Sequence, residues 1–375
     1  MTGRRDVDKP LAGLKVVELA RILAGPWAGQ LLADLGAEIV KVERPEVGDD
    51  TRHWGPPFAP DGASAYFHSC NRGKSSVAID LGTGEGQARV RELVAGADVL
   101  IENFKVGGLA GYGLDYPSLS AINPRLVYCS ITGFGQTGPY SGRAGYDFII
   151  QGMGGAMSLT GEPDGAPQKS GIAYADLFTG LYASVAILAA LRERDRSGRG
   201  AHIDMALLDT QVAVLANQAL NWMVSGDVPT RMGNGHSNLA PYQAFETADG
   251  EVIVAVGNDR QFERLCAILG LEALAKDERF RTNPARVVNR DSLIPLLERS
   301  IRGRGLREFS EALEAAGIPA GPINAVDSVF ADPQVVHRGL RIEGPTPGLA
   351  SPIVIDGRRQ VAEAPAPRLG EERSC

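Results

Sequence analysis

The sequence predicts an α/β protein: a large domain built on a parallel sheet, and a smaller α+β domain after it. Three observations carry that expectation. At 375 residues the chain exceeds what one ordinary core organises. Up to residue 205, short apolar runs alternate with helical patterns, the signature of βαβ units. Beyond residue 235 the pattern changes to a hairpin followed by helices.

Leu14–Leu19 (LKVVEL) reads as a buried strand, and ARILAGPWAGQLLADLGA after it as a turn and helix. Pro26 suits the first helical position and Gly36 the C-terminal cap. Glu38–Glu43 (EIVKVE) closes the first βαβ unit, which implies a parallel sheet with right-handed crossovers. The turn holds Gly25 and Gly29 but no G-x-G-x-x-G, so it gives little support to a dinucleotide site. The charged, Gly- and Pro-rich loop Arg44–Phe58 follows the C-terminal end of the second strand, the edge where open α/β sheets bind ligands. Ser76–Leu81 is the third strand, preceded by the cationic turn Asn71–Lys74, and a helix over Glu85–Ala95 leads to a fourth strand, Asp98–Phe104. The fifth, Arg125–Ile131, runs into Gly133–Asp147, too rich in glycine to be regular and expected as an ordered loop. Successive strand ends therefore deliver Arg44, Lys105 and the Gly-rich loop to one rim.

Gly171–Leu191 (GIAYADLFTGLYASVAILAAL) is a helix apolar on most faces, with Asp176 as its lone charge in the first turn. Taken alone, Asp176 is an acid that satisfies orphan N–H groups and the helix dipole. A polar turn and the short strand AHIDM follow, and Ala206–Val224 reads as one helix leaving the first domain. Tyr242–Thr247 and Glu251–Val256 form a hairpin, with helices over Arg260–Leu269, Asp291–Ile301 and Leu306–Ala316. The expected division is a large domain over 1–205, a linker over 206–235, a small domain over 236–318, and a return segment over 319–375 packing on the large domain.

Composition narrows the function. Apolar residues make up 44% and charged residues 22%, as in ordinary soluble chains. A net charge of −7 and a pI near 5.4 speak against a sequence-independent nucleic-acid binder, so any anionic ligand must be held by local cations. The start MTGRRDVDKP lacks a secretory core, and the apolar run Leu181–Leu191 is shorter than a membrane span, so a cytoplasmic protein without membrane contact is expected. Cys70, Cys129, Cys266 and Cys375 are scattered, and His53, His68, His202, His236 and His337 show no ligand spacing. Reduced thiols, structural histidines and no metal site are expected.

At this point the residues resemble the class III coenzyme A transferases, the family of formyl-CoA transferase, carnitine CoA-transferase and α-methylacyl-CoA racemase. The resemblance runs from Pro10 to about Gly370, on the block LAGLKVVELARILAGPWAGQLLADLGAEIVKVERPEVGDDTR, then NRGKSSVAIDL, ADVLIENFKVGGL, INPRLVYCSITGFGQTGPY, RAGYD, the Asp176 helix and GNDRQFERLC. It implies a nucleotide-binding-type large domain, a small α+β domain and an interlocked homodimer. It further implies coenzyme A, a substrate and no permanently bound cofactor, at Leu23, Ala24, Arg44, Ile79, Asp80, Leu81, Gly82, Asn103, Phe104, Lys105, Ala144, Gly145, Tyr146 and Asp147, with Asp176 as nucleophile. Relatives often carry a cation where Gly82 and Gly111 stand, for which Arg72, Lys74 or Arg143 could substitute. The segment Gly233–Asn238 is shorter than the glycine run of formyl-CoA transferase, so any lid there should differ.

The implied activity moves CoA from an acyl-CoA thioester to a free carboxylic acid through mixed-anhydride and aspartyl-CoA intermediates. No general base is needed, because an aspartate of reference pKa about 3.9 is already ionised at neutral pH. The GNDRQF segment and the non-glycine lid look more like the transferases of dicarboxylates, such as succinyl-CoA users, than like formyl-CoA transferase, with Arg231 or His236 as candidate cations for the second carboxylate. The alternatives are a racemase at the acyl α-carbon and a non-catalytic acyl-CoA binder. Racemase relatives use a histidine in AGHD where this chain has AGYD, and Tyr146, of reference pKa about 10, is a poor proton shuttle. An intact Asp176 speaks against the binder.

Overall fold

The computed structural model describes residues 9–373, which fall into two compact units. The first unit comprises the described residues up to Ala156, Lys169–Ala216 and the described residues from Pro333 onward. Its centre is a parallel sheet of β1 (Lys15–Glu18), β2 (Glu38–Glu43), β3 (Lys74–Ala78), β4 (Val99–Glu102), β5 (Val127–Thr132) and β6 (Ala201–Ala206), in the order β3-β2-β1-β4-β5-β6. The helices of this part are α1 (Ala24–Asp34), α2 (Ala65–Ser69), α3 (Gly84–Ala95), α4 (Tyr116–Ile122), α5 (Asp147–Met153), α7 (Tyr174–Ser197) and α8 (Leu207–Ala213), while the single turn α6 (Ala156–Leu159) belongs, after its first residue, to the second unit.

Alternate strand residues enter two cores. Val16, Val99, Ile101, Val127 and Cys129 pack with Ala28 and Leu32 of α1 and Ala183 and Ile187 of α7. Val17, Leu100 and Tyr128 pack with Val90 and Val94 of α3 and Leu119 of α4. Both faces are covered, which is why β1, β4 and β5 at the centre of the sheet read as apolar runs. The chain builds outward from β1 to β3, crosses back to β4 beside β1, and builds outward again to β6. That reversal makes the ends of β1 and β4 the switch point of the sheet.

α7 lies against α1. A Cβ at Gly180 would stand 2.5 Å from the Ala24 carbonyl oxygen, so only glycine lets the two helices meet one turn beyond Asp176. By length and composition α7 could cross a membrane, but Ala183, Ile187 and Leu191 belong to the core of this unit.

The second unit comprises Met157–Gln168 and Asn217–Asp332. It contains α9 (Ala216–Ser225), the antiparallel strands β7 (Tyr242–Glu246), β8 (Glu251–Ala255) and β9 (Ala320–Pro322), and the helices α10 (Asp259–Leu269), α11 (Glu272–Lys276), α12 (Asn283–Val288), α13 (Arg290–Ile301) and α14 (Leu306–Ala315). Phe245, Val252, Val254, Phe262, Leu265, Leu297 and Phe309 form its core.

Several expected boundaries move. The third strand starts at Lys74, because that lysine is wholly buried and paired, and Ile79–Gly82 turn away as a loop. The expected helix Ala206–Val224 is two helices, broken where Ala216 takes a positive φ of 46°. α8 stays with the first unit, so the break falls after Ala216 and not at residue 206. Ala320–Pro322 pair with β8, so the return to the first unit begins at Pro333 and not at residue 319. Met157–Gln168, expected in the large domain, join the second unit through Gly233 N–H to the Gly161 carbonyl at 3.0 Å.

Candidate active site

The ends of β1 and β4 open onto a cavity of about 430 Å³ at the switch point. Its walls are the β1–α1 turn from Arg21 to Ala24, Asn103–Val106 after β4, Ile131–Gly133 after β5, residues of the Gly-rich loop, Leu207 and Asp176. Side-chain to backbone bonds fix these segments. Asn103 accepts from the Arg21 N–H at 2.9 Å and donates to the Arg21 carbonyl at 2.6 Å, which stitches the two strand ends together. The Glu102 carboxylate accepts from Phe104 N–H at 2.8 Å, and the Asp49 carboxylate from Ile22 N–H at 3.3 Å, where Ile22 holds a φ of 73°. A Cβ on Gly133 would sit 2.5 Å from Gly145 Cα, and one on Gly145 2.6 Å from Gly133 Cα. The loop can therefore cross itself at the cavity wall only with glycine at both positions.

Asp176 stands in the first turn of α7, half-buried. Its own side chain does not cap the helix. Asp147 does so from α5: one oxygen accepts from Ala175 N–H at 2.9 Å and Asp176 N–H at 3.3 Å, the other from Gln151 at 2.6 Å. Gln151 in turn accepts from Ser170 N–H at 2.9 Å. Asp147 thus takes up first-turn donors of α7 and adds a negative charge beside Asp176. Burial first, and the Asp147 charge second, push the Asp176 carboxyl up to about 7. This corrects the expectation of a carboxylate with its reference pKa, fully ionised at neutral pH. The charge of Asp176 reaches Tyr66 of α2, whose hydroxyl is raised by burial and then by Asp176 and so stays protonated. Trp54 packs edge-on against the Tyr66 ring at 5.2 Å.

The sequence-nominated residues divide between two cavities. Leu23, Ala24, Asn103, Phe104, Lys105, Ala144, Gly145, Tyr146 and Asp176 line the first. Arg44, Ile79, Asp80, Leu81 and Gly82 line a second of about 310 Å³, and Arg21 and Phe104 line both. Asp147 lines neither and acts on Asp176 through α7. Arg72 and Lys74 are not free to replace missing cations: Arg72 grips Asp34 at 2.8 and 2.7 Å, and Lys74 is fully buried on Glu18 at 2.8 Å. Arg143 lines the first cavity, exposed and stacked 4.6 Å from the Tyr140 ring centroid. Arg231 donates to the Gly165 carbonyl at 2.8 Å, and His236 accepts from Asn238 N–H at 3.0 Å, so both serve turns of the second unit. Sequence reading missed Arg21 and Tyr66. Arg21 was findable as the lone cation at the end of the first strand; Tyr66 lies on a short helix that no pattern announces.

The chain belongs to CoA-transferase family III, whose model matches residues 11–373. It is 55% identical to the succinate–glutarate CoA-transferase of Agrobacterium fabrum, over 100% of this chain and 96% of that protein. It is 44% identical to the succinyl-CoA:glutarate CoA-transferase of Homo sapiens, over 99% of this chain and 86% of that protein. A crystal structure of a CaiB/BaiF family protein from Brucella suis matches with a TM-score of 0.87 at 58% identity, covering 97% of each chain. The protein is an enzyme, a class III CoA-transferase that takes CoA thioesters and carboxylates as substrates.

Proposed function

We propose that this enzyme exchanges CoA between short dicarboxylates, succinate and glutarate, through a covalent aspartyl-CoA thioester on Asp176. The observation that carries the reading is the convergence of Asp176, the start of α1 and the Asn103–Lys105 turn on one cavity, which Arg21 and Phe104 also share with the second. The named activities of the Agrobacterium and human relatives supply the acids. The reacting thioester lies beside Asp176, and the nucleotide end of CoA reaches toward Arg44 and Ile79–Gly82. Lys105 and Arg143 line the first cavity with no carboxylate partner among the described residues, which leaves them available to anionic ligands.

In the first half-reaction an Asp176 oxygen attacks the thioester carbonyl, and the C–S bond breaks to release CoA thiolate and leave a mixed anhydride. The thiolate attacks the aspartyl carbonyl; the donor acid departs as its carboxylate, and aspartyl-CoA remains. The acceptor carboxylate attacks that thioester, thiolate leaves, and its return to the acceptor carbonyl gives the new CoA ester and free Asp176. Incubation with succinyl-CoA and a panel of mono- and dicarboxylates, followed by mass spectrometry, tests the substrate assignment. Glutaryl-CoA should dominate; transfer to monocarboxylates alone would contradict it.

Only ionised Asp176 attacks, so kcat/KM should rise with pH through about 7 and level off above it. Burial also pushes Glu102, beneath the Asn103–Lys105 turn, up to about 7, so one profile does not separate the two groups. Asp147→Asn does: it removes the charge that raises Asp176, and the profile should move to lower pH. An unmoved midpoint in that variant would assign the titration elsewhere.

The same reading includes a homodimer. Phe178, Leu181, Tyr182 and Val185, spaced i, i+3, i+4 and i+7 on α7, are exposed, an apolar helix face left open to water in the single chain. A second copy of the chain would cover them, with folding and association as one transition. Light scattering at micromolar concentration should give twice the chain mass; a well-folded monomer would refute the dimer.

A further inference from the structure

The rim carries a charged group that the transfer chemistry does not use. Asp50 lies on the exposed side of the loop after β2, and its neighbours are rigidly held. Asp49 is fully buried and bound to Lys41 at 2.9 Å, and Arg52 is bound to Glu43 at 2.8 and 2.7 Å. With its backbone fixed on both sides, Asp50 accepts from Arg21 Nη1 at 2.7 Å through one oxygen and from Arg44 Nη2 at 2.5 Å through the other. Arg21 borders both cavities, Arg44 only the second, and the Arg21 guanidinium lies 5.9 Å from the Phe104 ring centroid between them.

Two guanidinium groups on separate loops repel each other and would splay into water. A carboxylate between them removes the repulsion at the cost of one donor from each, and every guanidinium carries five N–H donors. The pair keeps a net positive charge and most of its donors. From this geometry we propose that Asp50 is a positioning residue that assembles Arg21 and Arg44 into one two-armed clamp for the diphosphate of coenzyme A. The inference rests on the reading above that the nucleotide end of CoA lies along the second cavity. Asp50 touches no reacting atom, so its effect falls on binding and not on the transfer step.

Steady-state kinetics with succinyl-CoA and glutarate test this, beside succinyl-pantetheine, which carries the same thioester without the diphosphate. Asp50→Asn should raise KM for succinyl-CoA about fivefold with kcat unchanged, a coupling typical of residues in one ion-pair network. It should leave KM for succinyl-pantetheine unchanged, and add nothing in an Arg21→Ala/Arg44→Ala background. A lower KM for succinyl-CoA would overturn the proposal, since Asp50 would then compete with phosphate for the arginines. An equal rise with succinyl-pantetheine, or an undiminished rise in the arginine-free background, would reduce Asp50 to loop structure. If the double arginine variant itself leaves KM for succinyl-CoA unchanged, the placement of CoA fails; if it raises KM while Asp50→Asn does not, only the clamp fails.

Discussion

Asp176→Asn should lower CoA transfer by about four or more powers of ten, the scale on which removal of a nucleophile acts, while folding and CoA binding persist. The substitution keeps the shape of the side chain and removes the attacking anion. A first-turn structural role would predict a loss of stability instead. That role is already filled, because Asp147 and not Asp176 accepts the first N–H groups of α7. The opposite stability effect is expected. The Asp176 carboxyl is raised from 3.8 to about 7 on folding, so the folded state binds its proton where the unfolded state has lost it. Stability from this group is full below its unfolded pKa and falls as pH rises toward about 7. Asp176→Asn should therefore melt above wild type at neutral pH, and the gap should close in acid. Near-normal turnover in this variant, measured as glutaryl-CoA formed from succinyl-CoA, would remove Asp176 from the mechanism.

Glu18→Gln should destabilise the first unit by about 3–5 kcal/mol, the usual consequence of leaving buried charge uncompensated. Glu18 has no exposed surface, and it holds two equally buried ammonium groups, Lys41 at 3.1 Å and Lys74 at 2.8 Å. The lysines differ in what remains to them. For Lys41 burial acts against the charge, but Asp49, Glu18 and Glu43 outweigh it and hold its pKa raised. Burial already lowers the pKa of Lys74, for which Glu18 is the bonded carboxylate; its other partners are the Pro26 carbonyl and Asn71. Without Glu18, Lys74 should tend to lose its proton in the folded state. Unfolding would then take up protons, so the deficit should shrink as pH rises above neutrality. Denaturant unfolding of wild type and variant across that range measures it; an unchanged midpoint would show that the lysines rearrange to water.

Much of the first unit was legible because its strands are buried on both faces: LKVVEL, VLIENF and the fifth strand announce themselves as apolar runs. The rim was legible for the same reason, since strand ends fix where Arg44 and Lys105 must emerge. What stayed hidden depends on contacts distant in sequence. EIVKVE gives no sign that Lys41 is fully buried, because the carboxylates that permit it come from Glu18 and from the loop at Asp49. The break at Ala216 carries no glycine or proline at that position. The pKa of Asp176 was misjudged because its main cause, burial, is set by tertiary packing, and the second, the charge of Asp147, comes from a residue 29 positions away that turns toward a helix other than its own.

The covalent intermediate itself is the most direct test. Wild-type enzyme incubated with succinyl-CoA in the absence of acceptor acid, then treated with hydroxylamine or borohydride, digested and mapped by peptide mass, should carry a modification on the peptide containing Asp176 and on no other. A label on a different carboxylate, or an unlabelled Asp176 peptide under conditions where transfer proceeds, would contradict the aspartyl-CoA mechanism.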